Sequence, residues 1–86
     1  MTEFTYTIKD EAGMHARPAG ILVKRMQQFK CDVTAGKGAK QVSLKKLFSL
    51  VGLGIKKGET VHIKADGEDE AEAIAAAREV IEREGL

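Results

Sequence analysis

The chain has 86 residues, and its 14 basic and 13 acidic side chains leave a formal net charge of +1 at neutral pH. With no Trp, one Tyr and three Phe, it offers neither the charge nor the stacking platform that would favour nucleic acid or an acidic membrane as partner. It has one cysteine, so no internal disulfide can form, which fits the cytoplasm. No signal peptide is visible, and no apolar run reaches the about 20 residues that span a bilayer. The length predicts a single domain over residues 1–86.

A strand, a loop and a helix are predicted in the first third of the chain. Residues 4–8 alternate apolar and polar side chains, which is the period of a half-buried strand. After a loop over residues 10–14, apolar residues recur at helical spacing and predict a helix over residues 16–28. Pro18 suits its first turn, because the missing N–H would have no intrahelical partner there. Gly20 costs about 1 kcal/mol against alanine in a helix, and either a flat partner surface or close helix packing would explain it.

His15 is predicted to lie at or near the N-cap of this helix. Free backbone N–H groups and the positive end of the helix dipole point at that position, so a dianionic phosphoryl group is well placed there. Histidine is a covalent nucleophile, and the guanidinium of Arg17 carries donors that match phosphoryl oxygens. The local pattern therefore indicates a phosphorylatable histidine; an ordinary cap or surface histidine and a solvated Arg17 are the alternative.

A hairpin is predicted next. Residues 31–35 alternate, Gly36-Lys37-Gly38 interrupts the run, and residues 41–44 resume it, as two strands joined by a turn would. The helix and Lys-Ser/Thr pair of a phosphate loop do not follow these glycines, so no such loop is inferred. Cys31 is interpreted as a small buried residue at a strand edge. Because no second cysteine or metal-ligand spacing accompanies it, we expect no metal site and no cofactor.

Residues 43–54 predict a short helix that Gly52 or Gly54 closes. This segment carries six large apolar side chains, which are Leu44, Leu47, Phe48, Leu50, Val51 and Leu53. They are too many for the buried face of a short helix, so some are expected at the surface with Lys45 and Lys46 around them. Such a patch is typical of a protein-docking surface, although small domains also expose apolar side chains that have no function.

The last third of the chain predicts a strand over residues 60–65, a turn at Asp66-Gly67 and a helix that ends near Gly85. Four acidic residues complement the dipole at the helix start and are interpreted as capping and solubilising residues rather than as metal ligands: Glu68, Asp69, Glu70 and Glu72. His62 would face water on the polar side of its strand. The order of the elements, with clean alternation in the strands, predicts a two-layer α+β domain with one wet sheet face and the helices on the other.

These segments resemble the HPr family, the histidine-containing phosphocarriers of the sugar phosphotransferase system. The similarity covers nearly the whole chain. It is strongest in the stretch Gly13-Met14-His15-Ala16-Arg17-Pro18-Ala19, which is similar to the active-site motif of the family, and in Val42-Ser43-Leu44-Lys45 with Leu53-Gly54 after it. The segment from Ala65-Asp66-Gly67 into the acidic helix and the final Glu84-Gly85-Leu86 are also similar. The resemblance implies an open-faced sandwich of order β-α-β-β-α-β-α, with four antiparallel strands and three helices on one face.

The resemblance also implies a function. His15 would accept on Nδ1 a phosphoryl group that enzyme I has received from phosphoenolpyruvate, and would donate it to sugar-specific enzyme IIA proteins or domains. The chain would then be a carrier and not an enzyme. Ala16 and Arg17 would bind the phosphoryl group, with Arg17 neutralising its charge. The implied partner-docking residues are Gly20, Lys24, Leu47, Phe48 and Val51. A monomer is expected, because an exchanging carrier keeps its histidine accessible.

One residue departs from the family pattern. Many relatives carry a regulatory serine directly after the Leu-Lys of the second motif, and this chain has Lys46 there. Neither Ser43 nor Ser49 occupies the matching position, so we expect no serine switch. Two other functions stay open at this point: a regulatory protein of the same fold that signals through phosphorylation-dependent contacts, and a generic ligand-binding domain.

Overall fold

A four-stranded antiparallel sheet with the order β1-β4-β2-β3 organises the fold. The computed structural model describes residues 1–86. The elements in chain order are β1 (Thr2–Thr7), α1 (Ala16–Met26), β2 (Asp32–Lys37), β3 (Lys40–Ser43), α2 (Leu47–Gly52), β4 (Thr60–Asp66) and α3 (Glu70–Arg83). This confirms the predicted element order and the α+β class.

The sheet has one apolar and one wet face, as the alternation predicts. In the central strand β4, Ile63 is fully buried, whereas its neighbour His62 is exposed. Ile63 pairs with Phe4 of β1 on one side and with Ala35 of β2 on the other. All three belong to one hydrophobic core, so the apolar face runs continuously across three strands.

The helices cover that apolar face and leave the other face to solvent. Leu22 and Met26 of α1 and Ile81 of α3 are fully buried in the same core. On the β1 side, the guanidinium of Arg78 lies 4.6 Å from the centre of the Phe4 ring, so α3 also covers the edge of the sheet with a cation–π contact. None of the helices has the length and the apolar character that crossing a membrane requires.

Two predicted boundaries are wrong by about one turn or less. The first helix ends at Met26 and not at residue 28, because Gln28 and Phe29 donate to carbonyls three residues back and tighten the chain into a turn. The second strand continues through Gly36 to Lys37, so the hairpin turn is only Gly38-Ala39.

The short helix α2 occupies only the middle of the predicted segment 43–54. It begins at Leu47, with Lys46 as an N-cap that makes no side-chain capping bond. Gly52 is its last residue, and Gly54 follows with a φ of +64°. Gly54 is therefore the glycine that turns the chain away from the helix, because residues with side chains rarely adopt this conformation.

The start of α3 holds the loop that leads into β2. The two carboxylate oxygens of Asp69 accept the backbone N–H groups of Lys30 and Cys31, each at 2.9 Å. These bonds lower the pKa of Asp69 to about 2, the Lys30 bond being the main cause. Cys31 is buried as predicted, and burial, followed by its contact with Asp69, raises the pKa of its thiol to about 11.

Candidate functional site

His15 is the N-cap of α1, and its side chain is 43% exposed. Its carbonyl accepts the N–H of Ala19 at 3.1 Å, the first hydrogen bond of the helix. No side chain caps this helix end, and the backbone N–H groups of Ala16 and Arg17 have no acceptor within the chain. An accessible imidazole thus lies beside open donors at the positive end of a helix dipole, an arrangement that can receive an anion.

The loop before His15 is clamped onto a neighbouring loop. Met14 is buried, and its N–H donates to the carbonyl of Ile55 at 2.9 Å. Gly13 has a φ of +68° and leaves no room for a Cβ against the same carbonyl. Its N–H donates to the carbonyl of Asp10 at 2.9 Å, and its own carbonyl accepts the N–H of His15 at 3.0 Å. These backbone hydrogen bonds together fix the position of the His15 backbone at the end of the loop.

Asp10 faces the histidine and was not among the site residues predicted from the sequence. Its Oδ2 lies 3.6 Å from Nε2 of His15. Its Oδ1 accepts the N–H of Ala12 at 3.0 Å. The sequence carries half of this signal, because an aspartate at the start of a turn commonly accepts the backbone N–H two residues on. That the carboxylate also faces His15 depends on the path of the loop.

The remaining predicted phosphoryl-site residues lie in the first turn of α1. Arg17 is exposed, and its side chain makes no hydrogen bond or ion pair within the chain. Pro18 follows as the third helical residue and is buried. The structure thus brings Ala16, Arg17 and His15 together at one helix end, with the guanidinium uncommitted.

The predicted docking residues lie on two helices that contact each other. Gly20 and Lys24 are on α1, while Leu47, Phe48 and Val51 are on α2. Phe48 is 90% exposed, whereas Leu47 and Val51 are only partly exposed and pack against the core. The apolar excess predicted for this segment is therefore concentrated in one phenylalanine.

Two details of that surface differ from the sequence-based interpretation. No atom lies within 4 Å of a Cβ built on Gly20. Close packing between helices therefore does not explain this glycine, and a flat surface for a partner is the explanation that remains. Lys45 does not border the patch as a free charge, because its Nζ donates to the carbonyl of Phe29 at 2.7 Å. That bond ties the segment after α1 to the segment before α2, so Lys46 is the exposed lysine there.

Comparison with known proteins places this arrangement in a family. The family described as "PTS HPr component phosphorylation site" matches residues 2–83. The histidine-containing phosphocarrier protein of a Mycoplasma is similar at 34% identity over 99% of this chain and 97% of that chain, with a TM-score of 0.97. HPr-C-His from Thermoanaerobacter tengcongensis is 38% identical over 95% and 92% of the two chains, with a TM-score of 0.90. Crh, a catabolite repression protein of Bacillus subtilis whose crystal structure is a domain-swapped dimer, is 31% identical over 100% and 99%, with a TM-score of 0.76.

Proposed function

The chain belongs to the HPr family of phosphotransferase-system phosphocarriers, and we propose that it carries a phosphoryl group on His15 in sugar uptake. The donor in this proposal is phosphorylated enzyme I, which takes the group from phosphoenolpyruvate. The acceptors are sugar-specific enzyme IIA proteins or domains. The protein then acts as a carrier without turnover of its own, and its single cysteine fits work in the cytoplasm.

One observation carries the proposal: an exposed imidazole at a helix end whose first N–H groups are unoccupied. The lone pair on Nδ1 of His15 attacks phosphorus, and the bond from phosphorus to the donor breaks with its electron pair leaving on the donor. The phosphoryl oxygens accept the N–H groups of Ala16 and Arg17, and the Arg17 guanidinium offsets their charge. Phosphoryl transfer depends mostly on such positioning and charge stabilisation.

The surface beside the histidine supports transient docking of both partners. It is defined by Gly20, Lys24, Leu47, Phe48 and Val51, all on α1 and α2. The exposed ring of Phe48 is a suitable anchor, because aromatic side chains are enriched in the buried centres of protein interfaces. Lys24 at the edge favours an acidic partner surface. A modest patch of this kind suits a carrier that leaves one partner to reach the next.

Phosphorylation by purified enzyme I tests the proposal. The chain is incubated with enzyme I, Mg²⁺ and phosphoenolpyruvate and analysed by intact mass. We expect an acid-labile gain of one phosphoryl group that is absent in His15→Ala. His62→Ala is the matched control, because it removes the only other histidine, which is exposed on the wet sheet face, and it should be labelled like the unmodified protein. Labelling that survives in His15→Ala, or no labelling by an enzyme I proven active, contradicts the proposal.

A regulatory role is the second candidate, and the similarity to Crh over the whole chain favours it. In that role His15 phosphorylation would alter contacts with a regulatory partner and would not feed sugar uptake. Transfer from the phosphorylated chain to an enzyme IIA separates the two, since only the carrier passes the group on. We propose a monomer as the working state; sedimentation at micromolar concentration tests this against the dimer found for Crh.

A further inference from the structure

We propose that Asp10 is a positioning residue for His15: its carboxylate holds the imidazole proton on Nε2 and so leaves the lone pair on Nδ1. The inference rests on the proposed function, because it concerns which nitrogen of His15 is ready to attack. Asp10 lies in the loop before the family motif, and it would act on the histidine in addition to the residues of that motif.

Three of the four polar groups of Asp10 make hydrogen bonds within the chain. Its N–H donates to the carbonyl of Leu86 at 3.0 Å, and its carbonyl accepts the N–H of Gly13 at 2.9 Å. Oδ1 accepts the N–H of Ala12 at 3.0 Å. The backbone and one carboxylate oxygen are thereby fixed, and Oδ2 is the oxygen left to face Nε2 of His15 at 3.6 Å.

The anchor behind Asp10 is itself buried. Leu86 is fully buried in the core, and its N–H donates to the carbonyl of Ile81 in α3 at 3.1 Å. Its carbonyl accepts Lys9 as well as Asp10. The loop is therefore tied to α3 on one side and, through the bond from Met14 to Ile55, to the loop before β4 on the other. A carboxylate held this way costs little entropy when it orients a neighbouring ring.

The chemistry follows from the charge distribution. A neutral imidazole carries its proton on one nitrogen and a lone pair on the other. A carboxylate near Nε2 favours the proton on that nitrogen, as the carboxylate partners of metal-binding histidines do. When the Nδ1–P bond forms and the bond to the donor breaks, the proton stays on Nε2 and the ring gains positive charge beside Asp10. Arg17 and the open end of α1 supply the positive groups for the phosphoryl oxygens.

A neighbouring carboxylate provides the matched control. Glu11 is the next residue in the loop, it is 89% exposed, and it pairs with Lys57 at 3.7 Å rather than with the histidine. Glu11→Gln therefore removes one negative charge from the same loop without touching His15. Asp10→Asn removes the charge that faces the ring but keeps an oxygen that can accept the Ala12 N–H.

The first measurement uses the free protein and needs no partner. Nitrogen-15 shifts of the His15 ring give the fraction of neutral imidazole that is protonated on Nε2. We expect this fraction to fall in Asp10→Asn toward that of an unconstrained histidine and to stay unchanged in Glu11→Gln. An unchanged fraction in Asp10→Asn overturns the inference. If Asp10→Asn does not fold, Asp10→Ser, whose hydroxyl can also accept the turn N–H, takes its place.

The second measurement is single-turnover phosphorylation at saturating phosphorylated enzyme I. We expect Asp10→Asn to slow transfer by about tenfold, the low end of the loss seen when a carboxylate that orients a metal-bound histidine is removed, with unchanged affinity for enzyme I. A loss of affinity at an unchanged saturated rate contradicts the positioning role. If the unmodified protein accepts no phosphoryl group at all, the proposed function fails, while the ring-nitrogen measurement still decides the role of Asp10.

Discussion

The carbonyl oxygen of Ile55 lies so close to Gly13 that a Cβ on this residue would clash with it. Gly13 also has a φ of +68°, a conformation that costs little only for glycine. The same Ile55 carbonyl accepts the N–H of Met14 at 2.9 Å. Position 13 thus requires glycine for two independent reasons, the positive φ and the close Ile55 carbonyl. This position is separated from His15 only by Met14.

Gly13→Ala is expected to lower the free energy of unfolding by about 2–3 kcal/mol, from the strained φ and the loss of one buried hydrogen bond. Urea denaturation measures this. Gly38→Ala is the matched control, because Gly38 has a φ of +59° but open space around a Cβ. It should lose only the conformational part, about 1–2 kcal/mol. Equal losses in the two variants would contradict the role of the Ile55 contact.

Acid should weaken the contact between α3 and the loop before β2. The pKa of Asp69 is lowered from 3.8 to about 2 in the folded chain, so folding favours the ionised carboxylate. Its contribution to stability is complete above the unfolded pKa and is lost as the pH falls through the folded one. We therefore expect the urea concentration at the midpoint of unfolding to fall between pH 4 and pH 2. Protonation of Asp69 should account for part of this fall.

Asp69→Asn tests this assignment, because an amide has one acceptor oxygen for the two N–H groups of Lys30 and Cys31. The variant should be less stable at pH 7 and should lose less stability on acidification than the unmodified protein. Glu68→Gln is the control, since Glu68 is exposed and accepts no hydrogen bond. If Asp69→Asn and Glu68→Gln show the same pH dependence, the Asp69 contact is not its source.

Much of the fold could be predicted because its signals are local. Alternation along β4 places Ile63 inside and His62 outside whatever the rest of the chain does, and the structure agrees. The placement of His15 as an N-cap was equally local, since Pro18 and the apolar spacing after it mark the start of a helix. The strand order β1-β4-β2-β3 is not local in this sense, and the sequence did not predict it.

Contacts between distant segments account for what the sequence did not reveal. Asp10 meets His15 because the loop between them is pressed onto Ile55, and no pattern within the loop encodes that path. The sequence predicted that Lys45 borders the docking patch, but its Nζ donates to the carbonyl of Phe29, 16 residues earlier. In both cases backbone groups elsewhere in the chain hold a charged side chain in place. Because every residue carries the same backbone groups, the sequence does not show which of them will be the partner.

The absence of a serine at position 46 leads to a prediction on regulation. A cognate serine kinase with ATP should give no phosphoserine on this chain. Ser43 is partly buried, and its Oγ accepts the N–H of Lys45 at 3.2 Å, while Ser49 lies within α2 and is also partly buried. Mass spectrometry of kinase-treated protein checks the prediction, and stoichiometric phosphate on either serine would refute it.

Lys46→Ser is the positive control for that experiment. It places a hydroxyl at the N-cap of α2, where Lys46 makes no capping bond, and it should become a substrate if the kinase reads this surface. The same change should raise the free energy of unfolding by about 0.5–1 kcal/mol, because serine is a favoured N-cap. No gain in either measurement would mean that the helix start differs from the one described.

Phe48 is expected to anchor the partner proteins. The side chain is 90% exposed, so Phe48→Glu removes little core packing and should unfold at nearly the same urea concentration as the unmodified protein. A charge in the centre of the docking surface should weaken enzyme I binding by about tenfold or more, the cost of losing an aromatic anchor. Calorimetric titration measures the affinity.

Thr5→Glu is the matched control for Phe48→Glu. It adds the same charge to the wet face of β1, on the side of the sheet away from the helices, and should leave the affinity intact. Equal weakening by both variants would point to net charge rather than to the ring, whereas weakening by Phe48→Glu alone ties binding to the helix face that carries His15.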